Sequence, residues 1–219
     1  MLIGEMLLLV VAVLVMIGAV KKITARLGLN DYVTTFFIFV IVLLNARGGV
    51  RLSDNYALYL GGVLSVIIAT YILLSRIERI SDLVAAALSA LGCAGIVFTY
   101  TTHFSTVTIL DPRLLAILLS LLIGLWCACT AKRTFSSCLF SATIGSFLGV
   151  TLYQTIIQKS GNIGGNYSFA VMWFGAIFGI LIQYLLTHLL QAVNSPRANS
   201  YFEAGAMAEE RDEDKKEKK

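Results

Sequence analysis

Seven apolar segments, separated by short loops, occupy most of the chain and limit its fold more than any other feature. They are Met1–Val20, Tyr32–Ala46, Tyr56–Ser75, Leu83–His103, Leu114–Ala131, Ser137–Gln158 and Tyr167–Val193. A helix that crosses a bilayer needs about 20 mostly apolar residues, and a backbone in lipid must pair its own polar groups. The segments are continuous and rich in Leu, Ile and Val rather than alternating, which favours helices over strands. The sequence therefore predicts an all-α, polytopic transmembrane helix bundle.

Composition agrees with lipid as the main solvent. Charged residues make up 14% of the 219 residues and hydrophobic residues 58%, whereas a soluble domain has roughly 25% charged residues. Met1–Val20 has Glu5 but no base before its apolar stretch, so we expect an uncleaved first span rather than a signal peptide. Tyr32–Ala46 is short for a full crossing. Seven spans are therefore predicted, and six remain the alternative.

The basic residues predict the orientation of the bundle. With seven spans, alternate loops lie on opposite sides of the membrane, and one set carries more bases than the other. The first set holds Lys21, Lys22, Arg26, Arg76, Arg79, Lys132 and Arg133, and the second holds Arg47, Arg51, Arg113 and Lys159. Because cytoplasmic loops carry the excess of Lys and Arg, we expect a cytoplasmic-membrane protein with its N-terminus outside and its C-terminus in the cytoplasm.

The composition changes after Val193. Asn194–Lys219 contains Pro196 and ends in a run of charged residues of both signs, Glu209–Lys219. Such a segment has too little apolar surface to form a core. We therefore predict a transmembrane domain over residues 1–193 and a disordered cytoplasmic tail over residues 194–219, which is the natural place for a protein partner to bind.

An internal repeat is also indicated. Basic pairs follow the first and fifth segments, and 34 residues separate both Lys22 from Tyr56 and Arg133 from Tyr167. This spacing suggests two three-helix units joined by a fourth helix, a 3+1+3 arrangement of the kind found in transporters with parallel repeats.

Catalytic and metal-binding patterns are missing from the sequence. No Asp, Glu, Lys or Arg lies in the middle of a predicted span, and Glu5 is placed near the outer end of the first. Since buried ionisable residues mark ion pathways and proton relays, a carrier that depends on a buried carboxylate is not expected. The two histidines, His103 and His188, fall near opposite faces of the membrane. We expect no enzyme activity, metal or cofactor, and no nucleic-acid partner.

Two sets of residues stand out as candidates for packing and for binding. Small residues at four-residue spacing, which let helices approach closely, are Gly145 and Gly149 in the sixth segment and Gly175 and Gly179 in the seventh. The candidate binding residues are two amides expected to share one helix face and a polar, glycine-rich loop whose N–H groups could cradle an anion. They are Gln154, Gln158, Asn162, Gly164, Gly165 and Asn166.

Several short motifs give the chain a family resemblance over roughly Met1–Gln191. They are Met1-Leu2-Ile3-Gly4, Leu110-Asp111-Pro112, Lys132-Arg133, Leu148-Gly149-Val150 and Ile163-Gly164-Gly165. In their order and spacing the chain resembles the multi-pass membrane family catalogued as domain of unknown function 1614. The resemblance implies a helical membrane domain without an assigned activity. Where that family often carries two acids this chain has Gln154 and Ala170, so no proteolytic or proton-coupled role that needs those acids is carried over.

The function that these features favour is a small permease-like or channel-like protein for a neutral or anionic solute, assembled either as a monomer or as a homo-oligomer. The alternative is a membrane scaffold or assembly factor that recruits partners through its tail.

Overall fold

The structure is a computed structural model that describes residues 3–104, 112–130 and 134–193. In chain order the elements are α1 (Ile3–Met16), α2 (Lys21–Leu27), α3 (Asp31–Ala46), β1 (Val50–Ser53), β2 (Tyr56–Leu58), α4 (Leu60–Leu74), α5 (Ile80–Phe104), α6 (Pro112–Thr130), α7 (Phe135–Tyr153), a π-helical turn (Gln154–Gln158), β3 (Gly161–Ile163) and α8 (Asn166–Val193). Helices dominate, so the all-α prediction is confirmed. The predicted tail, Asn194–Lys219, lies outside the described residues.

Fewer helices are long enough to cross a bilayer than the sequence predicts. Among the described residues, Ile80–His103, Phe135–Gln158 and Asn166–Leu190 have the required length and hydropathy. A fourth crossing is formed if α1 and α2, which meet at an angle of 98°, together make one broken span. Three further apolar helices are shorter; α3, for example, has 16 residues and spans about 24 Å of the roughly 30 Å of hydrocarbon. The prediction of seven spans is therefore not confirmed.

The break between α1 and α2 has a local cause. Gly18 has a φ of +74°, a left-handed conformation that ends helices and that glycine adopts without a steric penalty. After α2, Gly28 with φ +72° ends that short helix in the same way. The Asn30 side chain then accepts a hydrogen bond from the Tyr32 N–H at 3.0 Å and caps the start of α3.

α7 is the central helix of the bundle. Most of its side chains are buried, as expected for a helix that is apolar on every side, and it packs against α4, α5 and α6. Gly145 and Gly149 lie against the α5 backbone. A Cβ at Gly145 would lie 2.7 Å from the Ala90 carbonyl oxygen, and one at Gly149 would lie 2.7 Å from the Ala94 carbonyl oxygen. Small residues therefore set the distance between these two helices.

The second glycine pair lies at another helix contact. A Cβ at Gly175 of α8 would lie 2.9 Å from the Ile123 side chain of α6, and one at Gly179 would lie 2.5 Å from the Cys138 sulfur of α7 and 3.5 Å from the Gly124 Cα. α8 thus approaches α6 and α7 along its small-residue face.

A small sheet joins distant parts of the sequence. β1 and β2 form an antiparallel hairpin, and β3 adds to β2 in parallel, with Tyr56 opposite Gly161 and Leu58 opposite Ile163. The Tyr59 N–H extends this pairing by donating to the Ile163 carbonyl at 2.9 Å. The segment before α8 is therefore fastened to the segment before α4.

The chain divides into two compact units, residues 1–182 and 183–219. The described residues of the second unit are the last part of α8. There the Thr187 hydroxyl donates to the Gln183 carbonyl at 2.8 Å, and the rings of Tyr184 and His188 meet edge to face with centroids 4.3 Å apart.

Candidate functional site

A buried carboxylate and a buried carboxamide form a hydrogen-bonded pair between α1 and α3. Glu5 is 5% exposed and Asn45 is 2% exposed. The Asn45 amide nitrogen donates to one Glu5 carboxylate oxygen at 2.7 Å. The Asn45 amide oxygen is buried as well, and it has no hydrogen-bond partner among the described residues.

The apolar pattern of each helix explains why both side chains point inward. On α1 the buried positions Glu5, Leu8, Ala12 and Val15 follow the three-and-four spacing of one helix face. Glu5 therefore continues the stripe that packs into the core, and it cannot turn to solvent without rotating the whole helix.

α3 presents the matching stripe. Its buried positions are Ile38, Ile41, Val42 and Asn45, and the first three belong to the same core cluster as Leu8 and Ala12. Glu5 lies in the first turn of α1 and Asn45 in the last turn of α3, so the polar pair takes the place of the next apolar contact at this end of the cluster.

Two other helices approach the pair backbone to backbone. A Cβ at Gly61 of α4 would lie 2.6 Å from the Asn45 Cβ and 2.7 Å from the Ile41 carbonyl oxygen. A Cβ at Gly4 of α1 would lie 2.9 Å from the Ala170 Cα of α8. Glycine at these two positions lets α4 approach α3 at Asn45 and lets α8 approach α1 next to Glu5 in the sequence.

A second polar chain links two of these helices. The Trp173 indole N–H donates to the Ser65 hydroxyl at 3.2 Å, and that hydroxyl donates to the Gly61 carbonyl at 2.8 Å. The Gly61 carbonyl next to Asn45 is therefore already hydrogen-bonded.

Burying the Glu5–Asn45 pair lowers the stability of the fold. Removing an unpartnered amide oxygen from water costs about 1–3 kcal/mol, and removing a carboxylate costs several kcal/mol unless it is well paired. One hydrogen bond does not offset both of these desolvation costs. Groups that cost stability in this way are characteristic of functional sites.

The glycine-rich loop that the sequence indicates as a binding site forms strand β3 instead of an open turn. The Gly161 N–H donates to the Asn55 carbonyl and the Gly165 N–H donates to the Asn162 carbonyl, each at 2.9 Å. Those two N–H groups are therefore occupied and are not free to bind an anion. Gly164 has a φ of +71°, a conformation that requires glycine.

The loop residues are also separated by their exposure. Gly164 and Gly165 are buried, whereas Asn162 and Asn166 are exposed. A Cβ at Gly62 would lie 2.8 Å from the Gly164 Cα, so the Gly164 backbone is covered by the start of α4. The two glycines serve a close backbone contact, and the two asparagines face away from it.

Gln154 and Gln158 do not share a buried face. Gln154 begins the π-helical turn, and its side chain lies over Gly161. A Cβ built at Gly161 would be 2.7 Å from the Gln154 amide carbon. Its amide oxygen is buried without a partner in the described part of the chain. Gln158 is exposed, and its amide nitrogen is 3.5 Å from the Tyr153 hydroxyl, a weak contact. The change from α-helical to π-helical turns shifts the side-chain phase between the two amides.

Sequence reasoning noted Glu5 but placed it at the membrane edge, and it missed Asn45 altogether. The usable signal was periodicity. Asn45 is four residues after Ile41 and three after Val42, so it falls on the stripe of the most apolar positions in its helix.

Another buried amide begins the second unit. Gln183 is 1% exposed, and neither of its amide atoms has a hydrogen-bond partner among the described residues. A depression of about 430 Å³ along α5, lined by Gly95, Thr99 and His103 among others, contains neither member of the Glu5–Asn45 pair. Within residues 3–104, 112–130 and 134–193, no group of three or more His, Cys, Asp or Glu side chains is arranged to hold a metal ion.

Comparison with known proteins gives no relative: no protein-family model, curated protein or solved structure matches the chain. The resemblance to the family of domain of unknown function 1614 therefore stays a prediction.

Proposed function

We propose that the protein is a small permease of the cytoplasmic membrane for a neutral or anionic solute, and that Glu5 and Asn45 form part of its transport site. The observation that supports this proposal is the buried pair itself. A carboxylate and an amide between apolar helices cost stability, and ionisable residues in such places usually mark a path for an ion or a substrate.

The chemistry of the pair also bears on the solute. An ionised Glu5 would repel an anion, whereas a protonated Glu5 is neutral and leaves the Asn45 amide as a hydrogen-bonding group. An anionic solute therefore fits the state in which Glu5 carries a proton, and a neutral solute fits either state.

The finer architecture is part of the proposal. We propose seven crossings, in which α3, α4 and α6 cross despite their shorter length, with the N-terminus outside and the C-terminus in the cytoplasm. Local thinning of the bilayer accommodates short spans at a modest cost. The 3+1+3 repeat is supported by the parallel pairing of β2 with β3, because each of these strands leads directly into a helix, α4 or α8.

Solute-induced swelling of proteoliposomes tests the permease function. Purified full-length protein is reconstituted and challenged with glycerol, neutral sugars, zwitterionic amino acids and monocarboxylates, and swelling is followed by light scattering. We expect the wild type to speed the entry of at least one class and Glu5→Gln, which is neutral but cannot release a proton, to lose most of that increase. Glu78→Gln, which changes an exposed carboxylate between α4 and α5, is the matched control and should behave as wild type. Entry rates equal to those of protein-free liposomes for every class would contradict the proposal.

Deleting Asn194–Lys219 separates the permease from the scaffold alternative. A permease with its site at Glu5 keeps its transport rate when the tail is removed. A scaffold that recruits partners through the tail loses its function, so a truncated protein with unchanged swelling activity supports the permease.

A further inference from the structure

We propose that Glu5 is a proton-binding site and that Asn45 accommodates both of its protonation states by rotating its side-chain amide. This inference deepens the proposed function, because it names the proton as the ion that drives transport. Proton binding by Glu5 is measurable whether or not any solute is carried.

The structure contains the arrangement suited to the ionised state. The Asn45 amide nitrogen donates to the Glu5 carboxylate at 2.7 Å, while the amide oxygen has no partner within the described residues. An ionised carboxylate accepts hydrogen bonds and donates none, so this orientation of the amide matches that charge.

The protonated state needs the opposite orientation. A carboxylic acid must donate its O–H, and the nearest suitable acceptor is the amide oxygen of the same Asn45. A half-turn of the amide exchanges its nitrogen and oxygen, two atoms of nearly equal size. The acid then donates to the amide oxygen, and the amide nitrogen becomes the atom without a partner. The ionised and the protonated state of Glu5 each leave one Asn45 amide atom unpaired, so hydrogen bonding does not favour one state over the other.

No ion pair neutralises Glu5 within the described part of the chain, where Asn45 is its hydrogen-bond partner. The other charged or titratable side chains on α3, α4, the hairpin between them and the start of α8 are Asp31, Tyr32, Arg47, Arg51, Asp54, Tyr56, Tyr59, Tyr71 and Tyr167. Arg47, the base closest in sequence to Asn45, is exposed, and Asp31 lies at the opposite end of α3, where it accepts from the Thr24 hydroxyl at 2.6 Å. The described residues thus leave Glu5 without a protein counter-ion, and the proposal is that a proton from solution neutralises it.

A proton fits this position better than a metal cation. Sodium and divalent ions are held by several oxygen ligands, whereas the pair offers one carboxylate and one amide oxygen. The neighbouring Gly61 carbonyl already accepts from Ser65. A proton needs only one donor–acceptor contact, and the Asn45 amide oxygen supplies the acceptor once the amide has made its half-turn.

The position of the pair gives the proton a short route. Glu5 is the third residue of α1 and Asn45 the last but one of α3. The exposed Arg47 follows within two residues, so the carboxyl lies within about one helical turn of the surface at this end of the bundle.

Carbodiimide labelling tests the inference on the full-length protein in detergent. Dicyclohexylcarbodiimide enters apolar sites and adds to a protonated carboxyl, giving a stable acylurea without a leaving group. We expect labelled Glu5, measured by peptide mass spectrometry, to fall about tenfold for each pH unit once most of the group is ionised. The label should be lost in Glu5→Gln and unchanged in Glu78→Gln.

Asn45→Leu separates a positioning role from a merely structural one. The variant lacks the donor that holds the ionised carboxylate, so the pH profile of Glu5 labelling should differ from that of the wild type. Asn45→Gln keeps an amide and should restore part of the wild-type pH profile. Size-exclusion elution at the wild-type volume identifies the variants that remain folded.

An infrared pH-difference spectrum provides a readout that does not depend on reagent access. The carbonyl stretch of protonated carboxyls should grow on acidification in the wild type, and the part that Glu5 contributes should be missing from Glu5→Gln, in which the other Asp and Glu side chains still take up protons. A labelled fraction that is constant with pH, together with a spectrum that does not differ between wild type and Glu5→Gln, would overturn the inference. Proton binding without solute-induced swelling would instead leave the inference standing and reject the permease function.

Discussion

At the scale of single residues, Glu5 and Asn45 stabilise each other only as a pair. Removing one member leaves the other buried and without its partner, which costs about 1–3 kcal/mol for the amide and more for the carboxylate. Removing both takes away the polar groups and their desolvation cost together.

We therefore predict opposite behaviour of single and double variants. Glu5→Leu and Asn45→Leu should each lower the free energy of unfolding, whereas the double variant should recover most of that loss because the two leucines extend the Leu8 and Ile41 stripes. Thermal unfolding in detergent measures the three variants against wild type. A double variant as unstable as the sum of the singles would mean that the pair has a structural role beyond its own hydrogen bond.

Gln154 gives a second prediction at this scale. Its side chain covers Gly161 of β3, and its amide oxygen is buried without a partner in the described structure. Gln154→Leu keeps the packing and removes the unpaired oxygen, so stability should stay within about 1 kcal/mol of wild type or rise. Gln154→Ala is the control, because it uncovers Gly161 and should be the less stable of the two in the same thermal assay.

The residues of the candidate site were only partly predictable from sequence. Periodicity in α1 and α3 could have placed Glu5 and Asn45 on the buried stripes, but their pairing joins positions 40 residues apart. No local pattern reports such a contact. The phase shift of Gln158 was equally hidden, because the π-helical turn begins inside a continuous apolar run.

At the scale of elements, the close contact between α5 and α7 depends on glycines of α7, which have no side chain to hold the two helices apart. A Cβ at Gly149 would lie 2.7 Å from both the Ala94 carbonyl oxygen and the Val97 Cβ. A larger residue must push the two helices apart, and overpacking of this kind typically costs about 1–3 kcal/mol.

We predict that Gly149→Leu lowers the thermal stability in detergent and that Gly95→Leu does not. Gly95 on α5 is the matched control, since no described atom lies within 4 Å of a Cβ built there, and leucine is the better helix former. Leu118→Ile, at a half-exposed position on α6, should also be nearly neutral. Equal melting of the Gly149→Leu and Gly95→Leu proteins would show that the close contact is unimportant for stability.

The elements themselves divide into predictable and unpredictable kinds. The apolar runs predict the long helices α5, α7 and α8 because composition alone determines them. β3 was expected as a loop, since Gly161–Ile163 has three residues and a glycine, and it becomes a strand only through pairing with β2. The angle between α1 and α2 depends on Gly18, and a single glycine in an apolar run does not reveal such a bend.

At the scale of the whole molecule, the apolar runs predict seven crossings, and the described structure has three or four helices with the length and hydropathy of a span. Apolar composition reports burial in lipid or in protein without distinguishing the two, so it does not by itself decide whether short helices such as α3 and α4 cross. In the described structure both pack on the core, α3 through Ile41 and α4 through Leu73.

The orientation of the bundle gives the fourth prediction. In a background that lacks Cys93, Cys127, Cys129 and Cys138, a single cysteine at the exposed Asn162 should react with an impermeant maleimide added to intact cells. A cysteine at Ser200 should react only after the cells are opened, because the excess of bases predicts that this side is cytoplasmic. External labelling at Ser200 would reverse the orientation.

The parallel pairing of β2 with β3 also dictates the order in which the chain can assemble. The two strands lie about a hundred residues apart in the sequence. At a synthesis rate of about 5–20 residues per second, roughly 5–20 s pass between the emergence of one strand and that of the other. Throughout this interval the β1–β2 hairpin carries an open strand edge, a surface prone to pairing with other chains. The β1–β2 hairpin therefore has an incomplete partner surface until β3, directly before the last helix, emerges and pairs with it.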